Sequence, residues 1–254
     1  MIYLEAGLYW FHDSPQISFR RVCQLLIQQG MDTVDYGEYE APNNALLATL
    51  AQPQADVRAA SFITSSKNSK RRSKAGLTHR PPGKVSVSYG WISDEAEAHG
   101  DHPAIQVYWN GDSFFGPPGN TESDAPVNGL HAYHFFTLLC AQLDPLYAVL
   151  EVEREASCLY DALHLTASRS YSDVPSSEFY CQRGILEEAE EAFWRTYAYH
   201  ERLPHGGYGS DNAHFNPRRR SLGGDWEQKS KVMAQRNTMF IPALKRLARS
   251  QRSD

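Results

Sequence analysis

Ile2-Tyr3-Leu4-Glu5-Ala6-Gly7-Leu8-Tyr9-Trp10 opens the chain with the pattern of a strand. Ile2, Leu4, Ala6, Leu8 and Trp10 fall on one face of an extended segment, with Tyr3, Glu5 and Tyr9 on the other, the period of two expected of a half-buried strand. Next comes Asp13-Ser14-Pro15, a helix start with Ser14 as N-cap and Pro15 at the first helical position. Phe19, Val22, Cys23 and Leu26 then recur at helical spacing, and Gly30 supplies the stop.

Further along, Val85, Val87 and Tyr89 alternate with serines. Ile105, Val107 and Trp109 alternate with Gln106, Tyr108 and Asn110. These runs predict two strands of a hairpin with a long acidic tip, Asp94 to Pro103. A helix follows with Phe136, Leu139, Cys140 and Leu143 as its buried stripe. Asp144-Pro145 ends it, because the residue before proline is pushed out of the helical region. Tyr147 to Glu153 reads as a fourth strand. The order strand, helix, strand, strand, helix, strand predicts an α+β fold, a ferredoxin-like βαββαβ sandwich. In that arrangement two helices cover one face of an antiparallel sheet and leave the other open.

Residues 1–153 carry this pattern. Within them, 31–83 is longer than the connection needs and reads as an irregular insertion after the first helix. It holds a short helix around Asn44 to Leu50 and a strand at Ser61 to Thr64. Its centre, Ser65 to Lys74, is polar and basic and predicts a mobile loop. Residues 154–254 read as a mostly helical C-terminal extension packed on this core. There Leu159 to Thr166 and Phe179 to Leu186 are short apolar runs. Glu187 to Arg202 reads as a helix with Phe193, Trp194 and Tyr197 near one face. His205 to Gly209 reads as a glycine-rich turn, Arg218-Arg219-Arg220 as a solvated basic loop, and a last helix is interrupted at Pro242.

The chain of 254 residues can bury a core without staples. Cys23, Cys140, Cys158 and Cys181 are widely spaced and form no Cys-x-x-Cys pair, so they read as reduced core residues. Met1-Ile2-Tyr3-Leu4-Glu5 lacks the basic flank and apolar run of a signal peptide, and no stretch reaches the length of a membrane span. A cytoplasmic location is the expectation. The net charge of −5 argues against a dedicated nucleic-acid binder.

The ten histidines are the first candidates for chemistry. His99 and His102 lie in the hairpin tip, and His131 and His134 lie three apart on a helix, where they share a face and could reach one metal. Nothing fixes a third ligand, and no cofactor is expected. Ala162-Leu163-His164-Leu165-Thr166 has the apolar-His-x-Thr shape of two-histidine phosphoesterases, but that chemistry needs two copies and there is one. The alternative enzymatic reading is therefore a nucleic-acid or nucleotide phosphoesterase working through His164 and Thr166 or through the paired histidines. No Gly-x-Ser-x-Gly is present.

Tyr89-Gly90-Trp91, Tyr108-Trp109, the helix His131 to Leu143, the run Leu143 to Glu151 and Gly206-Gly207-Tyr208 together resemble the bacterial immunity proteins that accompany polymorphic toxins. The resemblance implies a small α+β protein that binds and neutralises a cognate toxin, a protein partner. Aromatics at 12% of the chain, with charged loops of both signs, fit an association surface independently. Tyr3, Tyr9 and Tyr108 are the aromatic contacts expected on the sheet face away from the helices.

Overall fold

The computed structural model describes residues 3–10, 15–34, 43–52, 57–63, 84–89, 105–110, 125–152 and 175–251. The four expected strands form as β1 (Tyr3–Tyr9), β4 (Lys84–Ser88), β5 (Ile105–Asn110) and β6 (Tyr147–Val152). They lie side by side in the order β4-β5-β1-β6, every neighbour antiparallel. The sheet does not stop there. β3 (Ala59–Ile63) and β2 (Asp32–Val34) extend one edge, and β7 (Glu178–Gln182), β9 (Gly206–Ser210) and β8 (Tyr199–Arg202) extend the other, giving nine strands ordered β2-β3-β4-β5-β1-β6-β7-β9-β8. The architecture is thus an α+β fold on one long antiparallel sheet, not a four-stranded sandwich with appendages.

Both long helices of the first core form where their patterns placed them. α1 (Pro15–Gln28) closes with the Gly30 amide donating to Ile27 O and the Met31 amide to Leu26 O, at 2.8 and 3.1 Å. Gly30 has φ +76°, and these two bonds satisfy carbonyls that a helix end leaves open. α2 (Asn43–Leu50) confirms the short helix read from sequence. α3 (Ala125–Leu143) ends at Asp144, which takes the left-handed φ of +47°. The Leu143 carbonyl accepts from Arg21 at 2.9 Å and from Trp10 Nε1 at 3.3 Å. A cation at a helix C-terminus opposes the negative end of the helix dipole.

α1 and α3 bury Phe19, Val22, Leu26, Phe136 and Leu139 against Leu4, Ala6, Leu8, Val107 and Leu150 on one sheet face. Alternation sends the intervening residues to the other face, which was expected to be open. Tyr9, Tyr147, Val149, Phe179 and Cys181 instead line a second core there. It is roofed by α4 (Glu190–Trp194), which follows a 3₁₀ turn at Glu187–Ala189, and by α5 (Trp226–Gln251). The physical reason is the aromatic content of that face: Phe179 meets Phe240 edge-on with ring centroids 4.9 Å apart, and Tyr9 stacks on Tyr147 at 4.2 Å. Rings of this size cannot be left wet without losing about 1.5–3 kcal/mol each.

Three further expectations are corrected. Besides the expected α2 and β3, the insertion supplies a strand that was not expected, β2, and both strands join the main sheet. The expected helix Glu187 to Arg202 stops after Trp194, and its last residues form β8. His205 to Gly209 is not a loop but mostly strand β9, joined to β8 by a turn in which the Leu203 amide donates to Gly206 O at 2.9 Å. Pro204 and Gly206 sit where such a turn favours them. The glycines are there for packing: a Cβ on Gly207 would fall 2.5 Å from the Trp194 ring, and one on Gly209 2.5 Å from the Tyr197 ring. Bare backbone lets both rings lie on the strand.

Cys23, Cys140 and Cys181 are buried and free. Burial pushes all three thiols up, which keeps them unreactive. Cys158 lies outside the described residues, as do Ser65 to Lys74 and the hairpin tip. No described helix is long and apolar enough to cross a membrane.

Candidate functional site

Among the described residues, a network of buried polar groups lies at one end of β7–β9, around the loop from Asp211 to Arg220. Its anchor is Arg236, on the apolar stripe of α5 and 0% exposed. The guanidinium grips Asp211 with two nitrogens, at 2.6 and 2.9 Å, and donates to Thr196 Oγ1 and Thr196 O at 2.9 and 2.8 Å. Its carbon lies 3.5 Å from the centroid of the Tyr197 ring. A buried arginine persists only when its charge and donors are met, and here a planar fork meets a planar carboxylate over an aromatic face. Asp211 also receives the Ala198 amide at 3.2 Å. The start of the loop is therefore fixed to α5 and to the chain leading into β8.

A second buried acid sits one strand away. Glu178 accepts the Asn212 amide at 3.2 Å, and its other oxygen is 2.6 Å from the Tyr208 hydroxyl. That hydroxyl is also 2.8 Å from the Phe215 carbonyl. A phenol has one proton and a carbonyl has none, so a proton on Glu178 completes the chain of bonds. Burial favours this, holding the Glu178 carboxyl well above its ordinary range, with the nearby Asp211 charge acting in the same direction.

Past Phe215 the chain turns through Asn216-Pro217-Arg218-Arg219-Arg220. Asn216 is fully buried, and its amide works as a clamp. Its nitrogen donates to Arg220 O at 2.8 Å and Asn212 O at 2.9 Å, while its oxygen accepts the Arg220 amide at 3.0 Å. Arg219 is held at φ +50°, a conformation that non-glycine residues seldom adopt and that the clamp imposes. Arg218, Arg219 and Arg220 are exposed, and among the described residues none of them forms an ion pair. Leu222 returns the chain to the sheet through its amide, 2.9 Å from Asp211 O.

Beside Phe215 lies a tyrosine–carboxylate cluster. Tyr133 of α3 and Tyr199 of β8 donate to the two oxygens of Glu201, Tyr199 at 3.0 Å. The Tyr133 ring lies 5.5 Å from that of Tyr208, whose hydroxyl meets the Phe215 carbonyl. Burial, then the Glu201 charge, pushes the Tyr199 hydroxyl up to about 12, with Arg218 pulling the other way. Burial and Glu201 likewise raise Tyr133, so both phenols stay neutral donors at physiological pH.

The expected site residues fall out as follows. His134 touches the Tyr133 ring at 4.8 Å and His131 is exposed one turn earlier on α3, which puts the pair beside the cluster. Among the described residues no group of three or more metal-ligating side chains gathers. His99, His102, His164 and Thr166 lie outside the described residues. Tyr3 pairs with Asn110 across β1 and β5, and Tyr108 is half-buried opposite Glu5. Tyr9 is corrected from an exposed contact to a core residue, 1% exposed, because Tyr147 and the second core cover it.

No family model and no curated protein matches the chain. Among solved structures it is similar to the Pseudomonas aeruginosa T6SS protein PA0821, at 11% identity and a TM-score of 0.43, over 97% of this chain and 84% of that one.

Sequence reasoning passed over Arg236, Asp211, Glu178 and Asn216. One signal was available. Arg236 stands four residues before Phe240 on the stripe that continues through Leu244, and a cation on an apolar stripe demands a buried partner. The Asn216-Pro217 pair marks a turn, but nothing in the sequence tells that the asparagine is its buried clamp.

Proposed function

We propose that this chain is a protein-binding module, an immunity protein that binds and neutralises a cognate toxin. The observation that carries the reading is the arginine turn. A buried asparagine, a left-handed arginine and a buried Arg236–Asp211 pair together hold three exposed guanidiniums on a fixed backbone. Prepaid ordering of exposed cations lowers the entropic cost of association and gives charge a defined place to steer a partner. A solvated loop with no partner needs none of this.

The test is co-expression with the product of the adjacent gene. The reading expects that this product arrests growth, that the chain restores it, and that the two proteins elute as one complex. An adjacent product that is harmless, or that kills equally with and without this chain, contradicts it.

A further inference from the structure

We infer that Arg218, Arg219 and Arg220 form, with Trp226, one contact surface for a partner protein that sets a carboxylate cluster against the arginines and an uncharged apolar recess against the indole. The inference rests on the binding role proposed above and gives its surface and its chemistry.

Trp226 is 81% exposed, which leaves its whole ring open to contact. It does not hang on a frayed end. Asp225 caps α5, accepting the Gln228 amide on its side chain at 3.0 Å, so Trp226 occupies the first position of a capped helix. Gly224, at φ +97°, makes the turn into that cap. Only five residues separate Arg220 from Trp226, and the six steps between them span at most about 20 Å even when extended. A standard interface covers about 800 Å² on each partner, a patch about 30 Å across, so one footprint reaches both. Tryptophan and arginine are the two residues that most often dominate interface energy.

The charge pattern selects protein over nucleic acid. Three cations on one turn do not make the continuous basic track that a phosphate backbone requires. Asp225 and Glu227 flank Trp226 in the sequence, and the chain carries a net charge of −5. A polyanion running across the patch would meet repulsion beside the indole. A local carboxylate cluster on a folded partner meets the guanidiniums alone and leaves the indole to an uncharged apolar contact.

The experiment uses the full chain and the protein encoded by the adjacent gene, with affinity measured by calorimetry at low and high salt. Charge reversal of the turn, R218E/R219E/R220E, is expected to weaken binding about 100-fold or more and to flatten its salt dependence. Trp226→Ala is expected to cost about tenfold. Arg183→Glu, an exposed charge change at the opposite end of β7, is expected to change affinity less than about threefold. Thermal melting of each variant verifies folding. If wild type forms the complex and the triple variant binds equally well, this surface is overturned while the immunity reading stands. If a short DNA duplex displaces the partner or binds more tightly than it, the acidic-protein chemistry is overturned. If wild type forms no complex with the adjacent product, the immunity reading falls and this inference falls with it.

Discussion

The two faces of the sheet are built by different chemistry. Under α1 and α3 the core is largely aliphatic on its strands, with Leu4, Ala6, Leu8, Val85, Val87, Val107 and Leu150 meeting helix residues at regular spacing. Under α4 and α5 it is aromatic and ionic, with Phe179, Phe193, Trp194, Tyr197 and Phe240 packed on one another and, over the Tyr197 ring, an arginine whose charge is paired below the surface. The first core tolerates local adjustment, because aliphatic side chains repack. The second depends on a few exact contacts. That rigidity is what a loop presenting three arginines needs from its foundation.

The largest expected break in this contrast comes from Arg236. Replacing it by methionine leaves Asp211 buried without its cation, which should cost about 3–5 kcal/mol in urea unfolding. Replacing Asp211 by leucine in the same chain should return much of that loss, because an apolar pair carries no stranded charge. A comparable loss in both chains would show that the pair matters only as volume. Smaller, about 1–3 kcal/mol, is the expected cost of Gly209→Ala, whose new methyl would overlap the Tyr197 ring. A neutral result there would mean that the ring can lift from β9.

How much of this was legible follows from the same contrast. The strands β1, β4, β5 and β6 and the helices α1 and α3 were readable because their apolar residues keep strict periods and their ends carry Pro15, Gly30 and Pro145. β9 was hidden because Gly206-Gly207-Tyr208-Gly209 has no apolar alternation of its own; the face that Gly207 and Gly209 leave bare is filled by Trp194 and Tyr197 from elsewhere. β8 was hidden because Tyr197 and Tyr199 continue the texture of the preceding helix. The arginine turn was visible as charge, but its geometry depends on Asn216 and Asp211, whose partners lie in other elements.

Acid titration sharpens the comparison next. Glu178 keeps its proton in the folded state and has an ordinary carboxyl when unfolded, so its contribution is fully present below the unfolded pKa. It is lost as pH rises through the raised folded value. Glu178→Gln, which keeps a donor for Tyr208 and an acceptor for Asn212, should remove that slope. The slope for one proton is at most about 1.4 kcal/mol per pH unit, and the variant should be the more stable protein at alkaline pH. Stability curves that remain parallel from mildly acidic to alkaline pH would refute a protonated Glu178. Smallest of all is the effect of the exposed arginines on folding. R218E/R219E/R220E should change unfolding free energy by no more than about 0.5 kcal/mol per site, since their side chains meet solvent and only their backbone is clamped.

Hydrogen exchange of the full chain, alone and with the protein encoded beside it, tests the central claim most directly. The amides of 218–222 and 226–228 should slow on complex formation, while those of β2 and β3 at the far edge of the sheet keep their rates. Protection confined to that far edge, with the arginine turn and the start of α5 exchanging as in the free chain, would contradict the assignment of the binding surface.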